Sequence, residues 1–173
     1  MIRAFIAIEI PDEIKAKISD LQKRIFVDKC IRLTKSEQMH ITINFLGLIE
    51  EKKLEEIKKL IEEIKINKKN VEVKNLGFFP SQSYQRVLYL SVYDTKDIAT
   101  EVFSKIKFGE LVDKGHITIA RIKCKPSKNF LYSVEKEKDV YLGGFIVDKL
   151  AIFESILTSK GAIYKKIYEK SLE

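Results

Sequence analysis

The order of hydrophobic and polar positions along the first half of the chain predicts strands that alternate with helices. Residues 2–10 alternate with a period of two, which predicts a mostly buried strand, and Pro11 with Asp12 then opens a helix. The following stretches switch between the strand period and the helix period. In chain order we expect a strand at 2–10, a helix with the apolar stripe Ile14, Ile18, Leu21 and Ile25, a strand at 38–46, a helix with Leu54, Ile57, Leu60, Ile61 and Ile64, and a strand from Val71 to Phe79.

The second half repeats this order. The segment RAFIAIEI, which begins at Arg3, parallels RVLYLSVY, which begins at Arg86. We expect a strand from Arg86, a helix from Asp94 with the stripe Ile98, Val102, Phe103 and Ile106, a strand at 116–122, a helix after Pro126, a strand region from Tyr141 to Leu157 and an extra strand from Ala162 to Glu169. The pattern predicts two β-α-β-α-β units, at 1–80 and 86–173, and the repeated order indicates that a pseudo-twofold axis relates them.

Composition limits the class of protein. The chain has 173 residues, of which 45% are hydrophobic, enough for a sizeable core. No apolar run approaches the roughly 20 residues of a membrane span, and the N-terminus lacks the apolar core of a signal peptide, so we expect a soluble, cytoplasmic protein. Cys30 and Cys124 show no CxxC pairing, and we expect two free thiols, although the sequence leaves a bridge open.

The net charge of +7 favours a polyanionic partner, because a positive field concentrates phosphates near the surface. Many lysines, however, alternate with glutamates in helix-like runs such as 50–59, and such mixed runs are usually solvated helix faces. A heat-adapted composition is a second explanation of the lysines. Charge alone therefore does not establish a function.

Both histidines of the chain, His40 and His116, begin the same tetrapeptide, His-Ile-Thr-Ile. Residues two apart in a strand share a face, so each histidine points to the same side as the threonine that follows it, Thr42 or Thr118. A single histidine on a strand is more often structural than catalytic. Its repetition at matching places in two half-repeats favours function, with the two pairs facing each other across a cleft.

Two imidazoles and two hydroxyls suit one kind of chemistry. Imidazoles with an ordinary pKa of about 6.5 can serve as one acid and one base near neutral pH. Hydroxyls beside them can donate to phosphate oxygens, so the set fits in-line displacement at a phosphodiester. We expect no metal and no other cofactor, because both proton transfers come from side chains and no Cys, Asp or Glu cluster accompanies the histidines.

The chain resembles the two-histidine phosphoesterase superfamily and, within it, the RNA 2',3'-cyclic phosphodiesterases, also called 2'-5' RNA ligases (LigT- and ThpR-like proteins). The resemblance runs from end to end and is carried by RAFIAIEIP (3–11), MHITINFLG (39–47), LGFFPSQSYQRVLYL (76–90), GHITIARIK (115–123) and ESILTSKGAIY (154–164). It implies a single bilobal α+β domain, 1–173, with a sheet in each lobe and both motifs in a central groove. The implied partner is RNA with a 2',3'-cyclic phosphate end, including tRNA fragments. We also expect the protein to be a monomer.

The resemblance also implies roles for the motif residues. The reaction opens the cyclic phosphate to a 2'-phosphomonoester, with His40 as proton donor and His116 as proton acceptor. Thr42 and Thr118 correspond to the threonines that bind the phosphate. Gly115 departs from the family pattern, because many relatives have proline before the second histidine.

Two arginines are weaker candidates for substrate binding. Arg86 opens a strand after a polar loop, so it can reach a phosphate or remain a surface arginine. Arg121 lies in a register that faces away from His116. It reaches the phosphate only if the strand ends or twists before it.

Of three aromatic residues in or near the motifs, two are candidates for stacking on a base. Tyr84, in the polar loop 81–85, is the better candidate for stacking on a base, whereas Phe79 is a weaker candidate that fits the core better than a stacking role. Phe45 lies on the strand face opposite His40, so we expect it in the core.

Two alternative functions remain open. Attack on the cyclic phosphate by an RNA hydroxyl instead of water would make the same groove a 2'-5' ligase, and the reverse step would cleave a 2'-5' linkage. A non-catalytic module that binds RNA ends is the alternative from another class. It is disfavoured because a binder gains more from arginine or lysine than from two titratable imidazoles.

Overall fold

The chain folds into four α-helices and ten β-strands, and the computed structural model describes all residues from Met1 to Glu173. The helices are α1 (Asp12–Arg24), α2 (Glu51–Glu62), α3 (Lys96–Ile106) and α4 (Lys128–Glu137). The strands are β1 (Ile2–Glu9), β2 (Ile31–Leu33), β3 (His40–Ile49), β4 (Lys69–Pro80), β5 (Gln85–Tyr93), β6 (Glu110–Leu111), β7 (His116–Ile122), β8 (Tyr141–Val147), β9 (Lys149–Thr158) and β10 (Gly161–Ser171). No helix has the length and apolar character needed to cross a membrane.

The strands form two antiparallel sheets of five strands each. Sheet A has the order β10-β9-β1-β3-β6, and sheet B has the order β2-β7-β5-β4-β8. The predicted α+β fold with two sheets is confirmed. Each sheet takes strands from both halves of the chain: sheet A adds β6, β9 and β10 of the second half to β1 and β3, and sheet B adds β2 and β4 of the first half to β5, β7 and β8. Strand β2 joins β7 at one edge of sheet B, and β6 joins β3 at one edge of sheet A.

The pairing register relates the two sheets to each other. Glu9 of β1 pairs with His40 of β3, and Ser91 of β5 pairs with His116 of β7. By this register, Gln85 occupies in β5 the position that Arg3 occupies in β1. The sequence repeat that aligns Arg3 with Arg86 is therefore displaced by one residue from the structural repeat. Both segments are apolar at most positions, and such runs define a register weakly.

Helices cover both sheets through a continuous aliphatic core of 40 buried residues. Helix α1 contacts β8 and α4 contacts β4 in sheet B, whereas α3 contacts β3 and α2 contacts β10 in sheet A. The predicted stripe of α1 is fully buried, as expected for an amphipathic helix.

Two details of the predicted strand order are wrong. The strand region from Tyr141 to Leu157 divides at Asp148 into β8 and β9, which belong to different sheets. The short edge strands β2 and β6 were not predicted, because two or three residues are too few to show a period.

The expectation of free thiols is also wrong, since Cys30 and Cys124 form a disulfide with their Cα atoms 5.2 Å apart. Cys30 immediately precedes β2 and Cys124 follows β7, and these strands pair through Ile31 and Ile122. Strand pairing thus brings together two cysteines that are separated by 94 positions in the sequence.

Candidate active site

A groove of about 770 Å³ is lined by residues of both sheets. Strand β3 of sheet A contributes His40 and Thr42, and strand β7 of sheet B contributes His116 and Thr118. The structure thus brings together the four motif residues named from the sequence.

The two imidazoles are held in the same way. Nδ1 of His40 lies 2.8 Å from the carbonyl oxygen of Gln38, and Nδ1 of His116 lies 3.0 Å from that of Lys114. A carbonyl oxygen only accepts hydrogen bonds, so Nδ1 of each ring carries a proton and donates it. Nε2 of each ring is left to gain or lose a proton.

The ring of His40 lies among aromatic side chains of sheet A. The ring centroid of Phe5 is 4.7 Å from that of His40, and Tyr164 meets the imidazole edge-on at 4.9 Å. These contacts fix the orientation of the imidazole and exclude water from part of its surface.

Burial lowers the pKa of His40 to about 4, because the imidazolium loses solvation. The hydrogen bond to the Gln38 carbonyl opposes this shift. The positive charges of His116, Arg121 and Lys15 lower the pKa further. At pH 7 the imidazole of His40 in the free chain is therefore neutral.

The ring of His116 also contacts aromatic side chains. Phe79 meets it edge-on at 5.0 Å, and Phe79 in turn stacks on Tyr89 at 4.0 Å. Phe79 is partly buried and lines the groove, so its side chain supports the second histidine.

A β-bulge follows the threonine in both motifs. Thr42 has a partner on β1 and the next paired residue is Asn44, so Ile43 is the extra residue. In β7 the extra residue is Ile119, between Thr118 and Ala120. A bulge shifts the alternation of side chains by one residue, so faces predicted from a strict period of two are wrong beyond it.

The bulges bring Phe45 and Arg121 into the groove. Phe45 is 44% exposed, so its predicted place in the core is wrong. Arg121 lies on the same side as Thr118 although an odd number of positions separates them, because Ile119 is the extra residue.

Hydrogen bonds to the carbonyl groups of the bulge residues hold both bulges. The carbonyl of Ile43 accepts from the backbone N–H of Val112, and that of Ile119 accepts from the backbone N–H of Thr34, both at 3.0 Å. The carbonyl of Ile119 also accepts from Nε2 of the buried Gln22 at 2.9 Å. Edge strands exchanged between the halves thus shape both walls of the groove.

Charged residues that sequence reasoning missed also line the groove, namely Arg3, Arg32 and Glu110. The side chains of Arg3, Arg121 and Glu110 make no ion pair or hydrogen bond within the protein, whereas Arg32 donates to the carbonyl of Lys160. Unpaired guanidinium groups in a groove favour an anionic ligand.

Of the charged residues that were missed, only Arg3 had a signal in the sequence, because it shares the face of β1 with Phe5. Arg32 and Glu110 lie on strands that are too short to predict.

Arg86 and Tyr84 lie outside the residues that line this groove. Nε and Nη2 of Arg86 donate to the hydroxyl oxygen of Tyr84 at 2.9 Å and 2.7 Å, and Nη1 donates to the carbonyl of Lys123 at 3.2 Å. Of the four weaker candidates, the structure therefore places Phe79 and Arg121 in the groove lining and the other two outside it.

Comparisons with known proteins agree with this arrangement. A family model described as LigT like Phosphoesterase matches residues 8–89. The chain is 36% identical over 176 residues to the RNA 2',3'-cyclic phosphodiesterase of Methanocaldococcus jannaschii, covering 96% of this chain and 99% of that protein. It is 29% identical over 172 residues to the protein of the same name from Archaeoglobus fulgidus, covering 95% and 97%. The fold matches the crystal structure of TT0787 of Thermus thermophilus with a TM-score of 0.82 at 21% identity, covering 98% and 97%.

Proposed function

Because the chain belongs to the family of LigT-like phosphoesterases, we propose that it hydrolyses 2',3'-cyclic phosphates at RNA ends to 2'-phosphomonoesters. The observation that carries the proposal is the presence of two identical His-Thr pairs in one groove, each with Nδ1 of its histidine bound to a backbone carbonyl. The names of the relatives support the same reaction.

In the proposed reaction the cyclic phosphate lies between the two histidines. Thr42 and Thr118 donate their hydroxyl protons to the non-bridging oxygens, and the unpaired guanidinium of Arg121 balances their charge. Nε2 of His116 takes a proton from a water molecule, whose oxygen forms a bond to phosphorus. The bond from phosphorus to O3' breaks, and Nε2 of His40 gives its proton to O3'.

The neutral state of His40 in the free chain must change for this role. A phosphodiester anion beside the imidazole stabilises the imidazolium, which opposes both burial and the neighbouring positive charges. His40 therefore takes up a proton when the substrate binds and then donates it to the leaving oxygen. Both proton transfers come from side chains, so the reaction as proposed requires no metal.

Several finer points remain predictions. They are a cytoplasmic location, a monomeric state, tRNA fragments as the physiological RNA, and contacts between RNA and the Tyr84–Arg86 pair. Neither residue of this pair lines the groove, although Phe79 and Val87 of the same hairpin do, so such contacts would involve RNA beyond its reacting end.

The test is a product assay on a short RNA with a 2',3'-cyclic phosphate end, in the presence of a chelator. We expect a 2'-monoester, separated from the 3'-monoester by chromatography against standards. His40→Ala and His116→Ala should each lower kcat by a factor on the order of 10² to 10⁴. Unchanged thermal melting of both variants is the control for folding.

Other results would contradict the proposal. Near-wild-type hydrolysis by both variants would remove the histidines from the reaction. Stoichiometric binding of the RNA without product would identify a binding module. If an added RNA with a 5'-hydroxyl end were joined to the cyclic end in preference to hydrolysis, the chain would be a ligase.

A further inference from the structure

The disulfide between Cys30 and Cys124 holds the start of β2, the shortest strand of sheet B. Strand β2 forms only three residue pairs with β7, and no strand lies on its other side. Beyond these pairs, the carbonyl of Cys30 accepts from the backbone N–H of Lys123 at 2.8 Å, and the carbonyl of Ile119 accepts from that of Thr34 at 3.0 Å. With so few backbone contacts, the position of β2 depends on the covalent bridge.

The side chain of Arg32, in the middle of β2, connects sheet B to sheet A. It lines the groove beside Arg121, its partner on β7. Its Nη2 donates to the carbonyl of Lys160, in the turn between β9 and β10 of sheet A. The turn is shaped around this contact, since Gly161 has a φ of 118° and a Cβ there would overlap the guanidinium of Arg32. The disulfide thus fixes a strand whose arginine links the two walls of the groove.

The remaining donors of Arg32 can serve the substrate. Its Nε and Nη1 have no hydrogen-bond partner within the protein, so they can donate to a phosphate oxygen in the groove. We propose that the disulfide is a redox switch: the oxidised chain holds Arg32 beside Arg121 at the reacting phosphate, whereas reduction releases β2 and lowers the activity. This inference rests on the proposed function and adds its regulation.

The two sulfur atoms differ in their access to a reductant. Cys124 is exposed, whereas Cys30 is only 6% exposed. A thiolate of a small dithiol therefore attacks Sγ of Cys124, the S–S bond breaks, and Sγ of Cys30 leaves as a thiolate that takes up a proton. The second thiol of the reductant then closes its own disulfide and releases Cys124. The dithiol is oxidised, and the two cysteines take up its two electrons and two protons.

The charge around the bridge favours this exchange. Lys29 precedes Cys30, and Lys123 and Lys125 flank Cys124. None of these lysines forms an ion pair, and positive charge stabilises both the attacking and the leaving thiolate. The alternative is a bridge that only stabilises the fold, as intracellular disulfides of hyperthermophiles do.

The first experiment compares the oxidised chain with the chain reduced by dithiothreitol, on adenosine 2',3'-cyclic phosphate. The temperature is one at which circular dichroism shows both forms folded, and the mass after thiol alkylation confirms the redox state. Reduction should lower kcat/KM about 5-fold or more, because a charge-assisted contact to phosphate is weakened, and reoxidation should restore it. The double variant Cys30→Ala/Cys124→Ala should resemble the reduced chain and respond to dithiothreitol by less than about twofold.

Hydrogen exchange measured by mass spectrometry reports the release of β2 independently of activity. Reduction should speed amide exchange about 10-fold or more in β2 and in the turn at 158–161, because local opening becomes easier. Helix α3 is the internal control, since it packs on α2 and β3, away from β2. Its exchange should not change.

A substitution tests whether the switch acts through Arg32. In the oxidised chain Arg32→Met should lower kcat/KM to about the level of the reduced wild type. Reduction of this variant should then change kcat/KM by less than about twofold, because the two effects share one cause. Arg24→Met removes an arginine paired with Glu137 outside the groove, and this matched control should keep the full response to reduction.

The results separate the switch from a structural bridge. An unchanged or higher kcat/KM after reduction overturns the switch, and so does faster exchange in α3 together with β2, which shows a general loss of stability. A full response to reduction in Arg32→Met overturns the role of Arg32. If the oxidised wild type hydrolyses neither this compound nor an RNA with a cyclic end, the proposed function itself is overturned, while hydrogen exchange still decides whether the bridge holds β2.

Discussion

The side-chain amide of Gln22 in helix α1 donates to the carbonyl oxygen of Ile119, the bulge residue of β7, at 2.9 Å. The same nitrogen donates to the carbonyl of Thr34 at 2.9 Å, and Gln22 is only 8% exposed. A helix from the first half of the chain thus holds the bulge that brings Arg121 into the groove. We therefore expect Gln22 to be a positioning residue that acts through Arg121.

Gln22→Leu should lower the free energy of unfolding by about 1 to 3 kcal/mol, because two carbonyl groups lose a hydrogen bond. Urea unfolding measures this loss. The variant should also lower kcat/KM, since the bulge and Arg121 are no longer held in place. Gln82→Leu, at an exposed loop position, is the control.

A double-mutant cycle separates positioning from general stability. If Gln22 acts through Arg121, the combination of Gln22→Leu with Arg121→Met should lower kcat/KM by less than the product of the two single effects. Fully multiplicative effects would show that Gln22 acts independently of Arg121 and would contradict the positioning role.

The titration of His40 is a second prediction. The chain has two histidines, so NMR shows two imidazole Cε1–H signals, and the His116→Gln variant assigns them. In the free chain His40 should titrate with a pKa of about 4. Arg121→Met should raise this pKa, because it removes a positive charge that disfavours the imidazolium.

Inorganic phosphate should shift the same signal. A bound anion stabilises the imidazolium, so the pKa of His40 should rise as phosphate is added, and the His40 signal of a chain saturated with phosphate should titrate closer to neutrality. A pKa near the ordinary value of about 6.5 in the free chain, or one insensitive to phosphate, would contradict the proton uptake assigned to His40.

The period of two in the sequence predicted the faces of β3 and β7 only up to the bulges. It correctly placed His40 with Thr42, and His116 with Thr118, on shared faces that line the groove. It failed at Phe45, because an extra residue in one strand leaves the pattern of apolar residues almost unchanged while it reverses the faces that follow, up to the next register shift.

The strand exchange and the disulfide could not be predicted from the sequence, for a different reason. Local periodicity predicts that a strand exists, but its partner is decided by packing over long sequence separations. Strand β2 pairs with β7 of the other half, and this pairing alone brings Cys30 to Cys124 and Arg32 beside Arg121. The local pattern of hydrophobic and polar residues does not predict that any of these residues become neighbours.

The disulfide gives a third prediction. It closes a loop with a sequence separation of 94 residues, and a cross-link of that span stabilises a fold by up to about 4 to 5 kcal/mol through the entropy of the unfolded chain. A variant with both Cys30→Ala and Cys124→Ala should unfold at lower urea concentration than wild type.

A reducing agent is the control for the disulfide. It should lower the stability of the wild type toward that of the double variant and leave the variant unchanged. Equal unfolding curves for oxidised and reduced wild type would contradict the stabilising role of the bridge.

The last prediction concerns Arg3, because its position along β1 continues the series of residues that line the groove. The register on β3 runs from His40, opposite Glu9, through Phe45, opposite Phe5, to Leu48, opposite Arg3. The unpaired guanidinium of Arg3 thus lies beyond Phe45 as seen from the reacting phosphate. We expect an RNA longer than one nucleotide to place its next phosphate on that side.

Arg3→Met should therefore raise KM about 10-fold for a dinucleotide with a 2',3'-cyclic phosphate end, since a charge-assisted hydrogen bond to phosphate is lost. For a cyclic mononucleotide the change should be less than about twofold, because that substrate has no second phosphate.

The dependence of log KM on log salt should become shallower by about 0.7 for the dinucleotide, as expected when one phosphate contact of a single strand is lost. Arg24→Met, which removes an arginine paired with Glu137 outside the groove, is the matched control, and equal effects of Arg3→Met on both substrates would place Arg3 at the reacting phosphate instead.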